Sequence, residues 1–318
     1  MKKIICLLFF CISIIQGFAN QSPEIVKTGV LIINVSELNL ADNSFHADFY
    51  LWFRWKGNID PLKNLEFSNL EDEWDFSDTD LYSANVVLKD GSFYNSYHVR
   101  GKFTYNFKLH NYPFDKQDID IQLKNSIYTA NELLYVADTA NSNIQPDVVI
   151  PGWNIEKLQF KSWQHKYHSN FGLPEVYDSN VYNNISFSVL LSKPVDYFFW
   201  KLLLPVLIVL FSGLGTALIH PKYVDARIYA PIGALLTAVF LAQSYSAKLP
   251  DISYLVLMDK VYLMAYGTIL AGIFHAIYTA NMVKDGSEES IIKVKRYDKI
   301  YMLVIISALL ILSLLILV

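Results

Sequence analysis

Six carboxylates fall within ten positions, at Glu71, Asp72, Glu73, Asp75, Asp78 and Asp80. Hard oxygen donors of this kind hold divalent cations, but the glycine-containing spacing of a calcium loop is missing, so a solvated acidic loop is expected and no metal site. Histidine is the side-chain type suited to sensing pH near neutrality, and His165 and His168 make pH modulation a testable expectation. No nucleophile elbow, phosphate loop or zinc spacing is present, and neither His220 nor His275 has a neighbouring acid at ligand spacing. The expectation is therefore not an enzyme, and no cofactor. Both cysteines, Cys6 and Cys11, lie in the first twenty residues. There Lys2 and Lys3, an apolar run from Ile4 to Ile15 and small residues at Gly17 and Ala19 read as a secretory leader, residues 1–19. The mature chain then carries no thiol, which removes disulfide, thiolate-metal and cysteine-nucleophile chemistry.

What remains is charge and apolarity, unevenly spread. Of 318 residues, 53% are hydrophobic and 18% charged. Asn20 to Asp196 holds 23 acidic against 14 basic residues, a net of −9, whereas the whole chain carries −4. That sign argues against a nucleic-acid partner and favours attracting cations.

From Ile25 to about Pro194, short segments alternate apolar with polar and break at turn clusters such as Lys89-Asp90-Gly91-Ser92. This predicts an antiparallel, immunoglobulin-like β-sandwich over residues 20–194. The clearest strand, Phe45 to Trp55, puts Phe45, Ala47, Phe49, Leu51, Phe53 and Trp55 on one face and His46, Asp48, Tyr50, Trp52 and Arg54 on the other. Lys116 to Leu123 and Ile185 to Leu191 read as further strands. After Pro194 the composition changes, and apolar segments at 197–219, 226–247, 255–280 and 299–318 predict a four-helix membrane domain over 195–318, in contact with lipid. With the sandwich exported, Lys222 and Arg227 fall in one inner turn and Lys284, Lys293, Lys295, Arg296 and Lys299 in the other, as the positive-inside rule requires.

The second apolar segment carries a distinct stripe. Spacings of four and three align Tyr229, Gly233, Leu236, Phe240, Gln243 and Ala247, an unusual mixture for a lipid-facing surface. Ordinary helix–helix packing accounts for such a stripe equally well. Placed around a symmetry axis, however, Leu236 and Phe240 become apolar rings that close by dewetting, and Asp225 a ring of carboxylates favouring permeant cations, provided Arg227 points elsewhere. Pro231 either begins this helix or kinks it.

These residues bring a family into view. Tyr112-Pro113-Phe114-Asp115, with Gln117 two residues on, resembles the aromatic-Pro-Phe-Asp loop of Cys-loop receptors, and Tyr105 to Ile119 has the spacing of that loop's cysteines, both replaced as in bacterial members. Trp52 to Gly57, Lys193-Pro194, Leu204-Pro205, the ungapped stretch Asp225 to Pro250 and Met258-Asp259-Lys260 resemble further landmarks in the family's order. The resemblance implies a homopentameric ligand-gated ion channel in the bacterial inner membrane, its sandwich in the periplasm and a small-molecule or ion ligand between neighbouring sandwiches. The expectation is cation selectivity; the alternative is a non-conducting, membrane-anchored solute receptor.

The family's ligand pocket is an aromatic box, suited to an ammonium group because ring faces attract cations. Tyr50 matches one wall, Tyr167, Tyr177 and Tyr182 surround the candidate capping loop from His165 to Tyr182, and Tyr82 and Tyr128 fall near two other pocket loops. Lys124 departs from the pattern: it opposes a cationic ligand unless it points to solvent. For gating, the resemblance implicates Asp115, Lys193, Pro194, the Lys248 to Tyr254 turn with Pro250, and the turn around Glu37 to Asp42. Lys193 replaces an arginine that pairs with acids in these loops, which leaves that ion pair open.

Overall fold

The computed structural model describes residues 22–71, 76–169, 172, 180–283 and 286–317. The leader, Asp72, Glu73, Asp75, Tyr177 and Lys284 lie outside the described residues. The strands are β1 (Glu24–Asn39), β2 (Ser44–Trp55), β3 (Leu65–Phe67), β4 (Ser77–Asp80), β5 (Val86–Val87), β6 (Phe93–Thr104), β7 (Lys116–Asn125), β8 (Leu133–Ala137), β9 (Asn143–Ile144), β10 (Asn154–Lys166) and β11 (Val181–Ser192). One sheet is ordered β4-β6-β2-β1-β8, with β5 on β6 and β9 on β1; the other is ordered β10-β11-β7-β3.

Strand β2 shows why two sheets stack. Its odd-numbered residues are buried throughout, Phe49, Leu51 and Phe53 at 0% exposure, while the even-numbered residues from His46 to Arg54 stay at least partly open. A strand with one apolar face stabilises itself only by burying it, here against the inward residues Ile119, Ile121 and Leu123 of β7 and Ile185, Phe187 and Val189 of β11. Local chemistry fixes the β1–β2 hairpin: Asn39 Oδ1 accepts the Ala41 and Asp42 N–H groups at 3.1 and 3.3 Å, and Asn43 takes a positive φ of 52°. Gly29 is required by close approach, since a Cβ there would lie 2.4 Å from the Trp52 ring. The sandwich is not wholly antiparallel as expected: β1 pairs in parallel with β8 and β9. Both strands lie far along the chain from β1 and no hairpin joins them to it, and alternation alone carries no direction.

Helix α1 (Tyr197–Leu218) follows the last strand after four residues; α2 (Val224–Ser246), α3 (Leu257–Met282) and α4 (Glu288–Leu317) complete the bundle. Helix α1 opens as a wide π-helical turn over Tyr197–Leu203 and tightens at Leu204, next to Pro205, whose missing N–H leaves the Lys201 carbonyl without its α-helical partner. Helix α3 is capped by Asp259, whose carboxylate accepts the Val256 N–H at 3.0 Å. Among the described residues α1, α2 and α3 are long and apolar enough to cross a membrane. Pro231 does not begin α2 but sits inside it, on the buried face, so the carbonyl of Arg227 loses its usual N–H partner.

Candidate functional site

At the far end of the sandwich, Lys124 on β7 reaches across to the tip of the β10–β11 hairpin. Its Nζ donates to the Tyr167 hydroxyl at 2.6 Å, meets Glu66 Oε1 of β3 at 3.2 Å and lies 4.8 Å from the Tyr167 ring centre. Tyr167 packs edge-on against Tyr182 at 5.7 Å and against His165 at 4.5 Å. Lys124 therefore does not point to solvent: its side chain is 13% exposed. Burial by itself lowers its pKa, but the bonds from Tyr167 and Glu66 outweigh that and raise it, so the ammonium stays charged.

Three of the other expected ligand residues, Tyr50, Tyr82 and Tyr128, are among the described residues. Tyr50 lies on the opposite sheet, stacked on His98 at 4.5 Å; His98 Nε2 meets Asp48 Oδ1 at 2.6 Å, and Arg100 donates to Asp48 Oδ2 at 2.8 Å. Tyr82 is 44% exposed and packs on Tyr94, and the Tyr128 N–H donates to Asn125 Oδ1 at 3.0 Å. Sequence reasoning missed Glu66, Asp48, His98 and Arg100. The polar face of β2 did present Asp48, but β3 is three residues long and offers no periodicity by which Glu66 stands out.

Where the sandwich meets the helices, aromatic rings pack together. His110 stacks on Tyr254 at 4.2 Å, Phe114 lies 4.9 Å from Phe198, and Tyr112 lies 6.2 Å from Tyr245. Lys193, on the connection into α1, is held in an aromatic cage, its Nζ 3.9 Å from the Trp153 ring centre, 4.5 Å from Tyr197 and 6.0 Å from Tyr112. Among the described residues no carboxylate lies within 4 Å of it. Burial, helped by the positive charge of Lys201, lowers its pKa to about 8. Asp115 makes no pair with it: Oδ1 accepts the Asn111 N–H at 2.9 Å, Oδ2 is buried without a partner, and burial raises the pKa of the carboxyl. The Pro194 carbonyl accepts the Tyr197 N–H at 3.0 Å, and Pro250 is half-buried in the α2–α3 connection. Glu37, Asp42, Trp153, Lys193, Tyr197 and Lys248 line one cleft of about 1000 Å³.

Helix α2 has two unlike faces. Arg227, Pro231, Ala234, Ala238 and Tyr245 are buried against the bundle. At 100° per residue, Tyr229, Gly233, Leu236, Phe240, Gln243 and Ala247 are centred roughly opposite that face. All six are exposed, as is Asp225, with Tyr229 at 69%, Leu236 at 56% and Phe240 at 65%. The packing explanation for this stripe fails within the single chain, whose packing contacts use the other face. Arg227 turns inward, 3% exposed, and its Nη2 donates to Asp298 Oδ1 of α4. Asp298 was not singled out in the sequence; it lies 71 positions from its partner.

No protein-family model matches the chain. It is 22% identical over 167 residues to a gamma-aminobutyric acid receptor subunit beta of Lymnaea stagnalis, covering 52% of this chain and 32% of that one. It is 20% identical over 217 residues to the acetylcholine-gated chloride channel subunit acc-2 of Caenorhabditis elegans, covering 68% and 46%. It is 21% identical over 184 residues to the gamma-aminobutyric acid receptor subunit rho-2 of Homo sapiens, covering 57% and 38%. The chain thus spans less than half of the length of these relatives. The expectation of cation selectivity gains no support from them, one being named a chloride channel. All three are receptor or channel subunits, and with three apolar helices they support the resemblance to subunits of ligand-gated membrane channels.

Proposed function

We propose that the chain is one subunit of a homopentameric ligand-gated ion channel whose pore is lined by α2. The observation that carries this reading is the bare face of that helix, which stands opposite its packed face and mixes a phenol, an amide and a glycine with two apolar rungs. Five such faces around an axis cover one another and enclose a lumen, with Leu236 and Phe240 as the constriction and Tyr229 narrowing the inner end. Helix α4 is the fourth membrane span, and the sandwich faces the periplasm of a bacterial inner membrane. The ligand, a small molecule or ion, sits between Tyr167 and Tyr182 of one subunit and Tyr50 of the next. Because Glu66 already engages Lys124, an amine is not excluded by its charge, and gamma-aminobutyric acid and acetylcholine, named in the relatives, are natural first probes.

Selectivity follows from Asp225, which faces outward on the same side as the stripe while Arg227 turns away, so five carboxylates meet at the mouth and attract cations. A chloride channel among the relatives carries the opposite sign, and reversal potentials decide between them. Currents recorded from the chain in liposomes under steps of amines, amino acids, pH and divalent ions test the reading. A gated current that loses cation preference in Asp225→Ala supports it; silence from a protein shown not to be pentameric overturns it.

A further inference from the structure

The first turn of α2 holds two opposite charges two positions apart, and only one of them faces outward. Asp225 is exposed, whereas Arg227 is taken out of water. A buried guanidinium needs a counter-charge, and among the described residues Asp298, itself 6% exposed, is the one carboxylate within 4 Å. The anchor is narrow. Arg227 reaches Asp298 Oδ1 through Nη2, while its Nε is buried without a partner. The same oxygen meets His275 Nε2 of α3 at 2.8 Å, and the His275 ring lies flat on Tyr301 of α4, 4.2 Å between centres at 7°. Helices α3 and α4 together thus hold the arginine of α2.

We infer that Asp298 is a positioning residue for ion selectivity: it keeps Arg227 out of the pore mouth, so that the guanidinium does not neutralise Asp225 there. The inference rests on α2 being the pore helix. Asp298→Asn preserves size and one acceptor oxygen but removes the counter-charge, leaving Arg227 an uncompensated cation in a dry site. Arginine has a long, flexible stem, and a guanidinium released from Asp298 in the first turn of the helix can swing round to the mouth, where five such groups would cancel five carboxylates.

Two readouts separate this inference from the pore reading. In purified full-length protein, Arg227 resists phenylglyoxal in the wild type and reacts severalfold more in Asp298→Asn, followed by peptide mass. Arg227 reactive in the wild type, or equally protected in the variant, overturns the inference whether or not the chain conducts. In channel recordings, the cation-to-anion permeability ratio falls severalfold in Asp298→Asn and returns to the wild-type value in Arg227→Gln/Asp298→Asn. A ratio unmoved in the single variant, or a fall that the second substitution does not reverse, overturns it; a wild type without current counts against the pore reading, and the arginine chemistry then decides alone.

Discussion

The two ends of the sandwich each draw a lysine out of water, and they hold it by different means. Lys124 is met by a carboxylate and a phenol at hydrogen-bond distance; Lys193 is met by three ring faces and no anion among the described residues. The hydrogen bonds that Lys124 gives to the Tyr167 phenol and the Glu66 carboxylate favour its charged form strongly enough to overcome desolvation. Ring faces, worth about 2 kcal/mol even when dry, do not. The two pKa values accordingly move in opposite directions from the same starting point, and only the membrane-end lysine loses its proton near pH 8. Burial of a cation does not by itself say how it behaves; its partners decide.

The largest expected effect comes from removing the closest ring. Trp153 is 9% exposed, and Trp153→Ala costs about 3–5 kcal/mol in denaturant unfolding, while readmitting water to Lys193 and moving its pKa back toward 10.5. Next is pH. Between about 8 and 10.5 the folded protein has lost the Lys193 proton that an unfolded lysine still binds, so unfolding takes up a proton and the Lys193 contribution to stability rises across that window. Lys124, with a folded pKa above 10.5, contributes fully below that value and loses its contribution only as pH climbs through it. The melting-temperature difference between wild type and Lys193→Met therefore rises from pH 8 to 10.5, while that between wild type and Lys124→Met stays flat. A smaller effect follows from Glu66→Gln, whose 45% exposed carboxylate is worth less than about 1 kcal/mol, read as a shift in the urea midpoint together with a fall in the Lys124 pKa. Smallest of all is the double-mutant cycle between Lys193 and Asp115, in which gating and stability couplings stay within about 0.3–0.5 kcal/mol.

Legibility in the sequence followed the range of the interactions. The alternation of Phe45 to Trp55 is a local property of one strand, and the exposure pattern of β2 repeats it residue by residue. The two faces of α2 follow from helical period in the same way. The Lys193 cage escaped notice because its rings come from three separate places, the loop at Tyr112, the turn at Trp153 and the first helix at Tyr197, and no spacing rule joins them. Glu66 escaped because a three-residue strand has no period, and the parallel partners of β1 because direction is not written in alternation. Asp298 sits in a stretch whose charges read as an inner basic turn, and only folding shows which of them turns inward.

The central claim is that the bare face of α2 meets water rather than lipid. Single cysteines placed along α2 report this directly with a charged thiol reagent applied to protein in membranes. Modification that blocks current at Gly233, Leu236, Phe240, Gln243 and Ala247 and spares Ala234 and Ala238 is the predicted result. Silence along the whole bare face, or reaction following Ala234 and Ala238 instead, would contradict it.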